Sequence, residues 1–266
     1  MVVKAEVILD NNTLRRNVVK MVYQSGWGHI PSSFSILEIV NLIYSKLLKF
    51  DKKNHKWPGR DYFILSKGHG CVGLYSVLEK FGLLKKIDIK NFCRPNGILG
   101  EHPDSNKIKF VEASCGSLGH GLGMAVGIAK GFKIKNKKNK VLVLVGDGEC
   151  HEGTIWEAAH IASNYELDNL RVFLDFNQSG MQLLPKENFL AKWNSFGWDV
   201  AVSDGHNEKE IYKNYKKLEK NKNKKPKIII CKTIKGKGVS FIEGHGPWHH
   251  KIPNENELKL IMKELR

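Results

Sequence analysis

Apolar positions along the chain change period several times, and each change marks an element. Over residues 12–24 and 33–49 they recur at helical spacing. In the second stretch Ile36, Leu37, Ile39, Val40, Ile43, Leu47 and Leu48 line one stripe, which predicts a buried helix face. Tyr62-Phe63-Ile64-Leu65-Ser66 reads as a strand, runs into Lys67-Gly68-His69-Gly70, and gives way to a helical pattern that ends at Phe81. Gly119, Gly123, Gly127 and Gly131 stand four apart in a small, apolar segment, a spacing that predicts a helix packed very close to a neighbour. Val141 to Val145 is a continuous apolar run, the mark of a strand buried on both faces of a parallel sheet. Arg171 to Asp175 and Lys227 to Cys231 predict two more, with helices near 152–165 and across 207–221.

Buried strands alternating with helices predict an α/β fold, a doubly wound, mostly parallel sheet flanked by helices. Ligands of such sheets collect at the carboxyl ends of the strands, and the chain places its Gly, Asp, Asn and His residues at those ends. No repeat or linker divides the sequence, so residues 1–266 are expected to form a single domain with a short C-terminal tail.

Composition narrows the class. Of the 266 residues 41% are hydrophobic and 26% charged, which argues against disorder. No apolar run reaches the roughly 18 residues of a membrane span. The start, Met1-Val2-Val3-Lys4-Ala5-Glu6, lacks the pattern of a secretory signal. Five cysteines (Cys71, Cys93, Cys115, Cys150, Cys231) without CxxC spacing disfavour a disulfide scaffold or zinc ribbon and suit a reducing, cytoplasmic setting.

Charge raises a different possibility. Forty-three Lys and Arg against 27 Asp and Glu leave a net +16, a footprint of nucleic-acid binding or of attraction to phosphorylated small molecules. Much of the excess lies in Lys133–Lys140 and Lys213–Lys227, both interleaved with Asn. Neither is Arg-rich or laced with aromatic residues, so solvated surface is the better reading than a nucleic-acid groove.

The segment VLVLVGDGECHEG…LRVFLDFNQSG carries the chemistry. Asp147 follows a buried strand inside a Gly-Asp-Gly turn, and Asn177 follows the next strand, 30 residues later. One strand–helix–strand unit thus brings a carboxylate and an amide carbonyl to one sheet edge. These are hard oxygen ligands for Mg²⁺, or Ca²⁺. The glycines let the backbone approach a diphosphate. Turn roles for Asp and Asn are the plain alternative, but two such residues on successive strands, with Glu152-Gly153 between them, favour the ligand reading.

This segment resembles the thiamine diphosphate motif in the version used by transketolases. Trp156-Glu157-Ala158 and Leu167-Asp168-Asn169-Leu170 are similar to that family's flanking residues, as are Gly28-His29-Ile30, Ser35, Glu38-Ile39 and Ser66-Lys67-Gly68-His69. So are Gly100-Glu101-His102-Pro103, Ser114 to Leu122, and Trp248-His249, so the resemblance spans some 220 residues. It implies that Asp147 and Asn177 bind the metal by side chain and Ser179 by its carbonyl. Gly116, Gly148 and His69 would face the diphosphate, with Ser117 beside them and Leu118 against the cofactor rings. Glu152 would belong to a carboxylate relay between paired active sites. His29, His69, His102 and His249 would line the substrate channel and shuttle protons. Histidine suits that work near neutral pH.

The departures bear on the substrate. Pro31-Ser32 stands where most relatives have Gly-Gly, Glu101 is inserted in the GHP element, His120 replaces a frequent glutamine, and His250 replaces the glycine usual after the late histidine. His245 and His250 flank His249 and compete with it for the assignment. His55, His151, His160 and His206 stand outside any motif and read as surface or packing residues. Transketolases continue into pyrimidine-binding and C-terminal domains, which supply the acid that activates the cofactor. The resemblance therefore implies an N-terminal subunit of a split enzyme, joined by a C-terminal partner, most simply as α2β2, and acting on a sugar, phosphorylated in the leading reading. Two alternatives remain: a thiamine-dependent synthase subunit for a modified or nucleotide-linked sugar, and a basic nucleic-acid-binding protein on a decayed enzyme fold.

Overall fold

A computed structural model describes residues 9–266; the Met1–Glu6 stretch read above lies outside them. The centre is one five-stranded, all-parallel sheet of order β1-β2-β3-β5-β4. Its strands are β1 (Tyr62–Leu65), β2 (Val141–Gly146), β3 (Leu170–Phe176), β4 (Asp199–Asp204) and β5 (Lys227–Lys232). Alternate side chains along each strand point to opposite faces, and the core divides accordingly. Phe63, Leu65, Leu142, Leu144, Phe173 and Ile229 enter one cluster. Ile64, Val141, Val143, Val145, Val172 and Ile228 enter the other. Both faces are dry, which is why the sequence shows continuous apolar runs there instead of alternation.

Helices cover both faces. On the first lie α1 (Asn11–Ser25), α2 (Ile30–Phe34), α3 (Leu37–Leu42) and α4 (Cys71–Lys80), with the short α5 (Lys86–Lys90) beyond. On the second lie α6 (His120–Ile134), α7 (Gly153–Asn164) and α8 (Phe189–Ser195), while α9 (Glu208–Lys220) and α10 (Glu255–Glu264) return to the first. Asp10 caps α1, accepting from the Thr13 N–H at 2.8 Å. Among the described residues no helix is long and apolar enough to cross a membrane.

Three expectations change. The helical stretch 33–49 is interrupted: α2 ends at Phe34, α3 begins at Leu37, and Ile43–Leu47 forms a π turn. Ser35 Oγ bonds back to the Ser32 carbonyl at 3.2 Å and sideways to Asp175, which competes with the helical ladder. β4 and α8 were not foreseen. The strand Asp-Val-Ala-Val-Ser-Asp is a half-buried sheet edge and lacks a long apolar run. The glycine stripe is the third. A Cβ on Gly121 would lie 2.4 Å from Ser66 Oγ, but Gly123, Gly127 and Gly131 face open space. Close packing thus occurs at the start of α6 and is replaced by an uncovered face further along. The lysine-rich stretches are mostly exposed, as expected, save for buried Asn139 and Lys227.

Candidate active site

The carboxyl ends of β2 and β3 build the site. Asp147 is buried directly after β2, and its Oδ1 accepts the Gly148 N–H at 2.8 Å. Its Oδ2 is buried with no hydrogen-bond partner. Burial, then the neighbouring charge of Asp175, pushes the Asp147 carboxyl up to about 6. After β3 comes Asn177, also buried, whose Oδ1 accepts the Ser179 N–H at 3.0 Å. Gln178 between them takes a φ of 65°, which folds the chain back. That turn lays Gly180 against the Gly-Asp-Gly loop: a Cβ there would meet the Asp147 carbonyl and the Gly148 nitrogen at 3.0 Å. No residue but glycine lets the two loops approach so closely.

Beneath these ligand candidates lies a buried ionic cluster. Asp175 Oδ2 accepts from Lys67 Nζ, from Ser35 Oγ at 2.8 Å and from Asn177 Nδ2 at 2.9 Å, and Thr233 Oγ1 donates to Oδ1. Lys67 Nζ also donates to the Ser32 carbonyl at 3.2 Å, and its side chain is 1% exposed. Sequence reasoning missed both members of the pair. Their signal was available: Lys67 precedes His69 by two residues, and Asp175 precedes Asn177 by two. Glu149 was missed too. It is buried and accepts from the Gly119 N–H at 2.9 Å, the Gly146 N–H at 3.0 Å and Ser66 Oγ, tying three loops together.

The predicted histidines meet above this floor. Ring centroids of His29 lie 5.6 Å from His69 and 5.3 Å from His249, with His69 and His249 6.3 Å apart. It is therefore His249, not His245, that joins them. His102 flanks the group: a Cβ on Gly116 would stand 3.5 Å from its ring, and one on Gly68 3.0 Å. Lys235, which sequence reasoning also missed, places Nζ 2.9 Å from His249 Nδ1 and 3.2 Å from Ser179 Oγ. Burial, then the Lys67 charge, lowers His69 well below the ordinary imidazole range. Burial followed by His250 and His249 lowers His29 to about 4. Burial and Lys235 lower His249. His29 and His69 thus stand neutral at neutral pH, ready to accept a proton.

Gly116 and Ser117 are exposed and Leu118 half-buried in the loop leading into α6. Glu152 caps the start of α7 on the solvent side, close to Gly119, and has no ion-pair partner among the described residues. An orphaned carboxylate oxygen beside an amide carbonyl is hard-donor chemistry, and it fits a Mg²⁺- or Ca²⁺-class ion. Lys235 and His69 stand where they would meet that ion's anionic ligand.

The chain matches the transketolase, thiamine diphosphate binding domain model over residues 8–265. It belongs to the transketolase family, as a thiamine diphosphate-binding domain. One of two apulose-4-phosphate transketolase subunits in Actinobacillus succinogenes is 36% identical, with 95% of this chain and 93% of that protein covered. A 6-deoxy-6-sulfo-D-fructose transketolase subunit from a Clostridium species is likewise 36% identical, covering 96% and 94%. Human transketolase is 34% identical, but the match covers 98% of this chain and only 42% of that one. The crystal structure of transketolase from Campylobacter jejuni superposes with a TM-score of 0.88 at 30% identity, over 96% of this chain and 42% of that chain. The parallel sheet and its flanking helices are thus those of the transketolase N-terminal domain, and this is a transketolase-type transferase chain.

Proposed function

We propose that this chain is the N-terminal subunit of a split transketolase-like enzyme, a single cytoplasmic domain that holds the Mg²⁺-diphosphate end of thiamine diphosphate. With a C-terminal partner it transfers a two-carbon ketol unit from a ketose, or ketose phosphate, to an aldose. The observation that carries this reading is the buried, unpartnered Oδ2 of Asp147, set beside Asn177 and below His29, His69 and His249. Relatives of similar length are named as subunits of transketolases, which supports a partner chain.

Asp147 and Asn177, with the Ser179 carbonyl, would hold the metal, while Lys235 and His69 with the Gly148 loop would hold the diphosphate. Thiamine diphosphate, when bound, supplies the carbanion stabilisation that no side chain can. The chain's residues do the rest. His29, His249 and His102 orient the sugar carbonyl and hydroxyls and move protons at the oxygen that becomes an alkoxide and back again. Gly116, Ser117 and Leu118 form the exposed wall on which the cofactor body rests. Glu152, exposed beside the uncovered α6 and α7, faces the partner's side, where a relay between paired sites in an α2β2 assembly would start. Met124 and Ile161 are exposed on the same helices, which suits an interface better than open solvent.

A second reading keeps the cofactor and changes the sugar. Glu101 and His250 alter the wall beside His29, and one relative is named for a sulfo-sugar, so a modified sugar substrate is consistent with the same site. One experiment separates these readings. The chain is titrated with Mg²⁺ and thiamine diphosphate with and without its C-terminal partner, following thermal unfolding, and the pair is then assayed against a panel of ketoses. Stabilisation by the cofactor and ketol transfer restored by the partner are expected. Full activity of the chain alone would overturn the split-enzyme reading.

A further inference from the structure

His29, Glu101 and His250 each present one ligand atom, and the three atoms lie within 4.8 Å of one another. The His250 Nε2 to Glu101 Oε1 distance is 3.2 Å, and the His29 and His250 rings stand edge to face with centroids 4.6 Å apart. Bonds of roughly 2.0–2.2 Å from a tetrahedral zinc ion to imidazole and carboxylate put neighbouring ligand atoms about 3.3 Å apart. The Glu101 and His250 atoms already have that spacing. His29 also carries a buried Nδ1 with no hydrogen-bond partner.

Donor chemistry distinguishes this cluster from the floor of the site. Asp147, Asn177 and the Ser179 carbonyl offer oxygen alone, which suits magnesium. Two imidazoles and one carboxylate suit a borderline ion such as zinc and match poorly with a hard ion that holds its waters. Three protein ligands leave a fourth position open. Glu101 and His250 are also two of the positions at which this sequence departs from the transketolase pattern.

We propose that His29, Glu101 and His250 form a second divalent-metal site, of the zinc class, at the mouth of the substrate channel. A metal held there occupies a His29 nitrogen that the sugar would otherwise meet, so it acts as a competitive inhibitor and not as a cofactor. The metal site itself stands on geometry alone; only its inhibitory effect rests on the proposed ketol-transfer function.

The test uses the full chain in excess Mg²⁺, titrated with Co²⁺ while its visible d–d absorption is followed, with Zn²⁺ as competitor. One Co²⁺ with the intense bands of four- or five-coordination is expected, displaced by one Zn²⁺. Glu101→Gln and His250→Gly are each expected to weaken binding by more than the roughly 10–100-fold that loss of a ligand's outer partner costs. Asp147→Asn, which removes the other cation site, is expected to leave the Co²⁺ spectrum in place. Wild-type Co²⁺ affinity in both Glu101→Gln and His250→Gly would overturn the proposal, as would loss of the bands in Asp147→Asn alone. With the partner chain present, Zn²⁺ should raise the apparent KM for the ketose in the wild type and not in His250→Gly. If ketol transfer itself is not found, the Co²⁺ titration still decides the metal site.

Discussion

Asp175 fixes the orientation of Asn177: the Asn177 Nδ2 donates to Asp175 Oδ2 at 2.9 Å, which turns the amide oxygen toward the Ser179 N–H and the metal position. The same Oδ2 carries the buried charge of Lys67. One carboxylate thus does two things, holding a ligand's rotamer and neutralising a lysine that water cannot reach.

Removing that carboxylate is expected to be costly. Asp175→Asn leaves the Lys67 ammonium buried and unpaired, a change of about 3–5 kcal/mol for a broken buried pair. Adding Lys67→Met to it is expected to restore much of the stability, because no uncompensated charge remains. Urea unfolding of the two single variants and the double variant measures the coupling. Equal stability of Asp175→Asn with and without Lys67→Met would contradict it.

Glu38 predicts the acid limb of stability. Burial opposes its charge, yet the hydrogen bond from His206 and the ion pair with Arg15 hold its carboxyl below the ordinary range. His206 Nε2 accepts the Ile234 N–H at 2.8 Å, which leaves Nδ1 to donate to Glu38 Oε2 at 3.0 Å. A lowered folded value means that the stabilisation is complete above the ordinary carboxylate pKa and is lost as pH falls through the lowered one. Glu38→Gln is expected to flatten stability against pH below about pH 4.5 and to lose about 3–5 kcal/mol at neutral pH, because Arg15 loses its partner. Thermal unfolding from pH 3 to pH 7, run on both proteins, checks the sign.

Two glycines of α6 should respond with opposite signs. Gly121→Ala drives a methyl to within 2.4 Å of Ser66 Oγ, an overpacking that costs about 1–3 kcal/mol. Gly127→Ala meets nothing within 4 Å, and the helix gains up to about 1 kcal/mol from the lost backbone freedom of glycine. Denaturant midpoints of the isolated chain distinguish them. Gly127→Leu is then expected to weaken assembly with the partner in gel filtration without destabilising the chain.

Lys235→Met is expected to weaken thiamine diphosphate binding by about ten- to a hundredfold, the usual worth of a hydrogen bond to a charged group. Calorimetric titration in Mg²⁺ measures it. The same variant removes one of the positive neighbours that lower His249, so the His249 imidazole should titrate at higher pH by NMR. A change in affinity without that rise would mean that Lys235 acts on the cofactor alone.

The sequence was informative wherever burial is symmetric or a motif is local. The apolar runs of β2, β3 and β5 announced strands dry on both faces, and Asp147 and Asn177 were visible because each follows such a run. β4 was invisible because an edge strand buries only part of its surface and its Val200-Ala201-Val202 core is too short to show a period. Lys67, Asp175 and Glu149 escaped for another reason: each is a polar residue whose role depends on partners brought together only by the sheet. The glycine spacing of α6 correctly marked a smooth face, but spacing does not say whether this chain or another covers it. Glu152, assigned by resemblance, stands on that uncovered side, so its relay role is readable only with a partner in place.

The partners of Asp175 lie far from it along the chain: Ser35 is 140 residues away, Lys67 108 and Thr233 58. Contacts of such separation form only after long loops have closed, and folds built on them are slow to complete. The cradle under the metal is thus assembled by the finished sheet and by no segment of it. Cofactor loading is in effect a checkpoint on folding: a nascent chain that stops short of Thr233 already carries His29, His69 and His102, yet it lacks the floor on which they work.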